Sequence, residues 1–313
     1  MSYVKINGSY LSSNEKSKIA YYIYEPTGKI KGIIQISHGM CEYIERYEHF
    51  AEFLTDNGWI LCGNDHLGHG KSVERDEDLG YFSEERGWVH CVNDLYYLNS
   101  LVQQKYINLP CILFGHSMGS FMARAYITRY GKSIDGAIIS GTSAGFPHSL
   151  GAQLSVFDIA KKKDGERHRS AKIDNMIFGK YNNRITGNKT IYDWISSDEA
   201  VVKKYEADKL CNFIFTINGV ENLVKVLGHV SDSKWYSSIR KDLPIYLVSG
   251  KDDPVGAFGD GVYKVFGKLS SKNCNVRIKL YSGMRHEILN EIKKEEVYSD
   301  ILAFANGIRE GII

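Results

Sequence analysis

The sequence lacks long apolar runs and lacks an excess of charge of either sign. No run approaches the roughly 18 apolar residues that a membrane-spanning helix needs, so we predict no such helix. The chain carries 39 Lys and Arg against 37 Asp and Glu, and its formal net charge is only +2. Because nucleic-acid-binding domains usually carry a strongly basic face, this balance argues against a nucleic-acid partner.

The sequence also lacks closely spaced cysteines. The six cysteines are scattered without a Cys-x-x-Cys pair, so we expect them to be reduced and to pack as small hydrophobic side chains. Residues 1–16 lack the apolar core of a signal peptide, which predicts a cytoplasmic protein. At 313 residues and 43% hydrophobic composition, the chain is long enough to bury a core in one large domain or two smaller ones.

Short apolar runs alternate with amphipathic patterns along most of the chain. Six runs predict strands, at residues 33–37, 59–63, 111–114, 136–140, 244–249 and 276–281. Together with a hairpin predicted within residues 1–25, this alternation indicates an α/β protein with one doubly wound, mostly parallel sheet.

The alternation is interrupted between residues 141 and 235. This part is rich in Lys, Asn, Asp and aromatic residues and has no strand pattern, although residues 220–227 carry apolar side chains at helical spacing. We therefore predict a core of residues 1–140 and 236–313, with residues 141–235 inserted after the sixth strand.

The pattern Gly-x-Ser-x-Gly occurs twice, at residues 115–119 and 141–145. It is typical of a nucleophile elbow, in which a serine lies on a tight turn between a strand and a helix. The first serine, Ser117, follows a predicted strand and precedes a helical pattern at residues 120–130. This context predicts Ser117 as the nucleophile.

The second serine, Ser143, also follows an apolar run, but the residues after it do not favour a helix. Phe146 and Pro147 follow the second motif directly, and the proline would break the helix that an elbow requires. No further strand separates Ser143 from the insertion. We predict that Ser143 marks the start of the insertion, on the wall of a pocket.

A serine hydroxyl needs a histidine that accepts its proton and an acidic group that orients this histidine. In an α/β protein, such groups lie beyond the carboxyl ends of the strands. Asp252 and Asp253 follow one predicted strand, and His286 follows the next. The order serine, acid, histidine, with one strand between the serine and the acid, predicts His286 as the general base and one of the two aspartates as its partner.

A tetrahedral intermediate needs two N–H groups that bind its oxyanion. The residue after the nucleophile, Met118, supplies one of them. The loop after an earlier strand supplies the other, and here it contains the turn His38-Gly39-Met40. We predict the backbone N–H groups of Met40 and Met118 as the oxyanion hole, and we expect His38 and His116 to support the site rather than to transfer protons.

Taken in order, these motifs resemble those of the α/β-hydrolase superfamily, and within it the serine hydrolases of the monoacylglycerol lipase and lysophospholipase type. The resemblance spans nearly the whole chain. It rests on five ordered segments, residues 38–40 (HGM), 64–72 (NDHLGHGKS), 115–119 (GHSMG), 250–253 (GKDD) and 283–286 (GMRH).

The resemblance implies an α/β-hydrolase fold in which residues 141–235 form a cap over the active site. It also implies that the acid is the third residue after the glycine that ends its strand, which selects Asp253 over Asp252. The expected reaction is hydrolysis of a small-molecule acyl ester, such as a monoacylglycerol or a lysophospholipid, through an acyl-enzyme. The resemblance implies no cofactor and no metal for this reaction. It implies at most a transient contact between the protein and a membrane surface.

Two other functions stay open at this point. The superfamily includes peptidases and amidases of the iminopeptidase type, and the predicted triad does not distinguish an ester from an amide. A ligand-binding protein without catalysis could also use this scaffold, although an intact set of Ser117, Asp253 and His286 argues against it. The sequence leaves the oligomeric state open.

Overall fold

The computed structural model describes residues 3–145 and 150–313, and in this part of the chain eight strands form one sheet. They are β1 (Tyr3–Leu11), β2 (Lys18–Pro26), β3 (Gly32–Ser37), β4 (Trp59–Asn64), β5 (Cys111–His116), β6 (Gly136–Ser140), β7 (Ile245–Gly250) and β8 (Val276–Tyr281). Their spatial order is β1-β2-β4-β3-β5-β6-β7-β8. The pairs β1–β2 and β2–β4 are antiparallel, and all other neighbours are parallel. The mostly parallel α/β sheet predicted from the sequence is confirmed.

Ten α-helices lie in the described residues. They are α1 (Glu48–Asp56), α2 (Gly87–Lys105), α3 (Met118–Arg129), α4 (Leu150–Asp164), α5 (Ala171–Phe178), α6 (Glu199–Ala207), α7 (Ile217–Ser231), α8 (Ser233–Ser237), α9 (Asp260–Ser270) and α10 (Lys294–Arg309). None of the helices in these residues combines the length and the apolarity that a membrane crossing requires.

Helices cover both faces of the sheet, because its central strands are apolar on both sides. Every residue of β3 to β7 is buried. Helices α1 and α10 pack on one face, through side chains such as Phe50 and Ile301. Helices α2, α3 and α9 pack on the other, through side chains such as Leu95, Met122 and Val265. Parallel sheets are usually buried in this way, since the connections between parallel strands place helices on the faces.

Helices α4 to α8 all lie between β6 and β7. The described residues of this part, 141–145 and 150–244, contain no strand. The predicted insertion of residues 141–235 falls in this part. Phe146 and Pro147, at which the sequence predicts a break after Ser143, lie outside the described residues, and α4 begins at Leu150.

The carboxyl ends of the parallel strands meet at one edge of the sheet. Ser117 directly follows β5, Asp253 lies just beyond β7, and His286 lies just beyond β8. Neighbouring parallel strands end at the same edge, so the fold brings these distant parts of the chain together.

Candidate active site

Ser117 lies on a tight turn between β5 and α3. Its backbone angles, φ 53° and ψ −123°, fall in a region that residues with a side chain rarely adopt. Its N–H group donates to the carbonyl oxygen of Ser140 at 3.0 Å, which holds the turn against β6. Helix α3 begins at Met118, so the serine lies at the positive end of the helix dipole, which favours negative charge.

Close contacts require both glycines of the motif around Ser117. A Cβ atom on Gly115 would lie 2.5 Å from the carbonyl oxygen of Gly119, and one on Gly119 would overlap the carbonyl oxygens of Ser37 and His38. Only glycine fits at these positions without a shift of the backbone. The elbow predicted from the sequence is therefore present in the geometry of this turn.

Ser143 lies in an irregular connection after β6 rather than on a strand-to-helix turn. Its carbonyl oxygen accepts a hydrogen bond of 2.8 Å from the guanidinium group of Arg124. Ser143 lines the same cavity as Ser117, in keeping with the predicted place on a pocket wall. The local geometry favours Ser117 as the nucleophile.

His286 is paired with Asp253 and not with Asp252. The distance from His286 Nδ1 to Asp253 Oδ2 is 2.9 Å, and both side chains are buried. The Asp253 carboxylate also accepts hydrogen bonds from the Ser249 hydroxyl at 3.1 Å and from the Val255 N–H at 2.8 Å. Asp252 is exposed. Of these two aspartates, Asp253 is therefore the one that lies against the histidine.

The other ring nitrogen of His286, Nε2, is buried and has no hydrogen-bond partner in the described residues. Because Nδ1 is paired with a carboxylate, Nδ1 carries the proton and Nε2 is left as the basic nitrogen. His286 and Ser117 line one cavity, although no hydrogen bond joins them within the described part of the chain. Catalytic hydrogen bonds of this kind are often long in a free enzyme and shorten when the substrate binds.

The two predicted oxyanion donors lie on either side of the nucleophile. Met118 is the first residue of α3, so its N–H has no acceptor within the helix. A Cβ atom on Gly39 would lie 3.0 Å from Cβ of Ser117, so the turn that contains Met40 packs directly against the nucleophile. Both methionines line the cavity, and neither N–H donates a hydrogen bond within the described residues.

His38 holds the peptide group that carries the Met40 N–H. His38 Nε2 accepts the N–H of His66 at 2.9 Å, so the ring proton lies on Nδ1, which donates to the carbonyl oxygen of Gly39 at 2.8 Å. This carbonyl and the Met40 N–H belong to one planar peptide group. Burial lowers the pKa of His38 well below its usual value, which keeps the ring neutral.

Apolar side chains line most of the cavity around Ser117. Those from the part between β6 and β7 include Ile177, Phe178, Trp194, Ile195, Leu223 and Leu227. Leu223 and Leu227 belong to the apolar stripe predicted at residues 220–227, and they line the cavity while they pack, with Val220 and Val224, in the core. A cavity with this lining suits an apolar group of a small molecule.

A largely buried cluster of charged side chains lies beside the cavity and consists of Glu42, Arg46, His116 and Glu287. Of these four residues, the sequence motifs indicate only His116. His116 Nδ1 lies 2.7 Å from Glu42, and both guanidinium ends of Arg46 donate to Glu287 at 2.8 Å. Burial raises the pKa of Glu42, but the positive charges of His116 and Arg46 outweigh this and lower it. Glu42 lies two residues after Met40, and this spacing indicates a position near the predicted oxyanion hole. No pattern in the sequence marks Arg46.

No group of three or more His, Cys, Asp or Glu among the described residues is placed to hold a metal ion. All six cysteines are buried and free. The absence of a cofactor stays a prediction from the sequence.

Comparison with known proteins gives matches over most of the chain. The family model described as serine aminopeptidase, S33, matches residues 28–293. The monoacylglycerol lipase of Mycolicibacterium smegmatis is 25% identical over 290 residues, which cover 92% of this chain and 92% of that protein. The monoglyceride lipase of Homo sapiens is 26% identical over 271 residues, which cover 86% of this chain and 80% of that protein.

A solved structure is more similar still. It is a thermostable carboxyl esterase from Bacillus coagulans in complex with glycerol, with 33% sequence identity and a TM-score of 0.91. The match covers 98% of this chain and 99% of that chain. The similarity therefore includes the part between β6 and β7 as well as the sheet.

Proposed function

The chain belongs to the serine aminopeptidase, S33, family, which has the α/β-hydrolase fold, and on that premise we propose that it is a serine hydrolase that cleaves a monoacyl carboxylic ester through an acyl-enzyme. The observation that carries the proposal is the pair of His286 Nδ1 and Asp253 at 2.9 Å, which leaves Nε2 unpaired in the cavity that Ser117 lines. A serine on an elbow, a base and an acid are the groups that nucleophilic acyl transfer needs.

In the proposed acylation step, Ser117 Oγ attacks the carbonyl carbon of the ester while His286 Nε2 accepts the hydroxyl proton. The bond to the alcohol oxygen then breaks, and the imidazolium gives its proton to this oxygen. In the second step, a water molecule attacks the acyl carbon while His286 accepts its proton. The bond between this carbon and Ser117 Oγ then breaks, the imidazolium gives its proton to Oγ, and the carboxylic acid is released. The buried Asp253 carboxylate stabilises the imidazolium in both steps.

The backbone N–H groups of Met40 and Met118 bind the negative oxygen of each tetrahedral intermediate in this proposal. Both are unpaired within the described residues, so they can donate without first breaking another hydrogen bond. Loss of one such donor typically costs about 10²–10³ in kcat.

The lining of the cavity supports an acyl chain as the group that binds there. Its apolar side chains come largely from between β6 and β7, which supports the proposal that residues 141–235 are a cap on a core of residues 1–140 and 236–313. The relatives named as monoacylglycerol lipase, monoglyceride lipase and carboxyl esterase favour an ester with one acyl chain. A cytoplasmic location stays a prediction from the sequence.

Replacement of the nucleophile tests the proposal. Ser117→Ala should lower kcat for p-nitrophenyl esters by about 10⁶, because the triad acts as a unit. A fluorophosphonate should no longer label this variant, whereas Ser143→Ala should still be labelled. Ester turnover by Ser117→Ala near that of the parent protein would reject the proposed nucleophile.

The description of the family raises aminopeptidase activity as a second candidate. An enzyme that recognises a free amino group needs an unpaired carboxylate in its cavity. Glu42 and Glu287 line the cavity, but Glu42 is paired with His116 and Glu287 with Arg46, which favours the ester. Rates with p-nitrophenyl esters of several chain lengths and with aminoacyl anilides separate the two. Faster turnover of the anilides would overturn the ester proposal.

A further inference from the structure

The main chain of His286 is held by a segment from another part of the fold. Its N–H donates to the carbonyl oxygen of Trp194 at 3.4 Å, and the N–H of Glu287 donates to that of Ile195 at 2.8 Å. The indole ring of Trp194 also packs on the imidazole ring, with 5.0 Å between the ring centroids. We call residues 193–197, which lie between α5 and α6, the clasp segment.

Arg285, the residue before His286, binds the clasp segment through its side chain. Its Nη1 atom donates to the carbonyl oxygen of Asp193 at 2.6 Å and to that of Ser196 at 2.9 Å. Along the chain, these two carbonyl groups lie on either side of those of Trp194 and Ile195, which bind the main chain of the loop that carries His286. One guanidinium group therefore spans the clasp segment.

Glu291 provides a second connection between the clasp segment and the loop that carries His286. Its side chain is buried, and Oε1 accepts the N–H of Ser197 at 2.9 Å and the N–H of Arg285 at 2.7 Å. Its Oε2 accepts the hydroxyl group of Ser197. A single carboxylate thus binds the main chain of both segments.

The loop that carries His286 has little regular structure of its own. It follows β8, and one short 3₁₀ turn, Ile288–Asn290, is the only regular element described between β8 and α10. Asp253 restrains a ring nitrogen of the histidine but not its main chain. A displacement of about 1 Å in a catalytic group can cost about 10²-fold in rate. On the main chain of His286, the carbonyl oxygen lies 3.3 Å from Nε2 of His116, and the clasp segment adds the restraint on the N–H side.

We propose that the clasp segment is a fixed part of the catalytic site, and that Arg285 and Glu291 are positioning residues that hold His286 Nε2 in reach of Ser117. This proposal rests on the proposed function, in which His286 is the general base. A cap movement that carried away the clasp segment would therefore break these hydrogen bonds to the main chain of His286.

Substitution of Arg285 tests the proposal. Arg285→Met keeps much of the apolar stem but loses both hydrogen bonds to the clasp segment, and kcat should fall by about 10- to 100-fold with KM unchanged. The rate constant for fluorophosphonate labelling should fall by the same factor. Arg285→Lys, which can restore one hydrogen bond, should recover part of the rate. Arg184→Met is the matched control, because this exposed arginine packs on Phe258 and, within the described residues, forms no hydrogen bond or ion pair with the loop that carries His286.

Hydrogen exchange gives a readout that a general loss of stability would not reproduce. In Arg285→Met, the amides of His286 and Glu287 should exchange faster, while the amides of β5 keep the rates of the parent protein. Glu291→Gln replaces one carboxylate oxygen that accepts hydrogen bonds from the clasp segment and from Arg285, and it should lower kcat by about 3- to 10-fold. This second variant decides the question if Arg285→Met does not fold.

Unchanged kcat in a folded Arg285→Met variant would overturn the role of the clasp segment, as would an equal loss in Arg184→Met. If Arg285→Met does not fold, unchanged kcat in Glu291→Gln has the same meaning. Failure of the proposed function is distinct from these results, because Ser117→Ala would then keep its activity.

Discussion

Asp252 and Asp253 are neighbours in the chain, yet their side chains have opposite surroundings. Asp252 is exposed, whereas Asp253 is fully buried. Three donors, from Ser249, Val255 and His286, hold the Asp253 carboxylate in one orientation. The carboxylate can therefore fix the ring of His286 so that Nε2 faces the cavity.

Substitution of each aspartate separates their roles. Asp253→Asn should lower kcat for ester hydrolysis by about 10⁴, because an amide in this place favours the wrong tautomer of the histidine. Asp252→Asn should leave steady-state rates near those of the parent protein. The assignment of the acid would be wrong if the Asp252 variant lost activity and the Asp253 variant did not.

Several residues at the site had no sequence signal. The Gly-x-Ser-x-Gly pattern pointed to Ser117 because an elbow is a local turn, defined by residues that are adjacent in the chain. Arg46 and Glu291 act through contacts with distant segments, Arg46 with Glu287 and Glu291 with Ser197. Neither a spacing nor a periodic pattern marks such contacts in one sequence.

At the level of elements, the turn between β1 and β2 is fixed to helix α2 by one buried carboxylate. Asp94 accepts hydrogen bonds from the Ser12 hydroxyl and from the Ser13 N–H, both at 2.7 Å. The Tyr10 hydroxyl donates to the carbonyl oxygen of Asp94 at 2.8 Å. Burial raises the pKa of Asp94 to about 6 in spite of these hydrogen bonds.

The raised pKa predicts a pH dependence of stability. The folded chain binds the Asp94 proton more tightly than the unfolded chain, in which the pKa of this aspartate is near 3.8. The contribution of Asp94 to the free energy of unfolding is therefore full below about pH 4 and is lost as the pH rises through about 6. In urea titrations, the free energy of unfolding should fall less over this range in Asp94→Asn than in the parent protein.

The control for this experiment is Asp56→Asn, at an exposed aspartate of α1. It should keep the pH dependence of the parent protein, because its side chain is not buried on folding. Equal slopes for all three proteins would show that Asp94 is not the group that titrates.

The ends of the elements differ from the sequence prediction in a way that matters for the site. The apolar run predicted a strand that ends at residue 114, but β5 continues to His116 because Gly115 pairs with Ile139 and His116 with Ser140. Neither glycine nor histidine is typical of a strand, so the pattern ended early. Pairing with β6 therefore sets the place of the elbow.

For the molecule as a whole, Arg124 joins α3 to both ends of the part between β6 and β7. Its guanidinium group donates to the carbonyl oxygens of Ser143 at 2.8 Å and Val230 at 2.6 Å, and to the hydroxyl of Tyr236 at 3.2 Å. The side chain is buried and also packs on the ring of Trp235. Carbonyl groups at the end of α7 carry partial negative charge, so they suit a buried cation.

Replacement of this arginine should reduce the stability of the whole protein. Arg124→Lys keeps the charge but cannot reach all these acceptors, and buried carbonyl groups left unpaired cost about 1–3 kcal/mol each. The midpoint of urea unfolding should fall accordingly. Arg129→Lys, on the exposed side of the same helix, should unfold near the midpoint of the parent protein. Equal midpoints for both variants would contradict the role of Arg124.

The sequence by itself determined the α/β class, the eight strands, the helical part after the sixth strand and the order of the motifs. It also selected Ser117 over Ser143 and, through the family resemblance, Asp253 over Asp252. These features follow from periodicity and turn chemistry within short stretches of the chain, and from the rule that parallel strands end at one edge.

Only the tertiary structure decided which distant residues hold the site together. The pairing of Arg46 with Glu287 joins positions 241 residues apart, and the bond from Arg285 to the clasp segment joins positions 92 residues apart. Such contacts form because the folded chain brings buried polar groups together and each of them must find a partner. Their identity depends on packing between segments, which local sequence patterns do not encode.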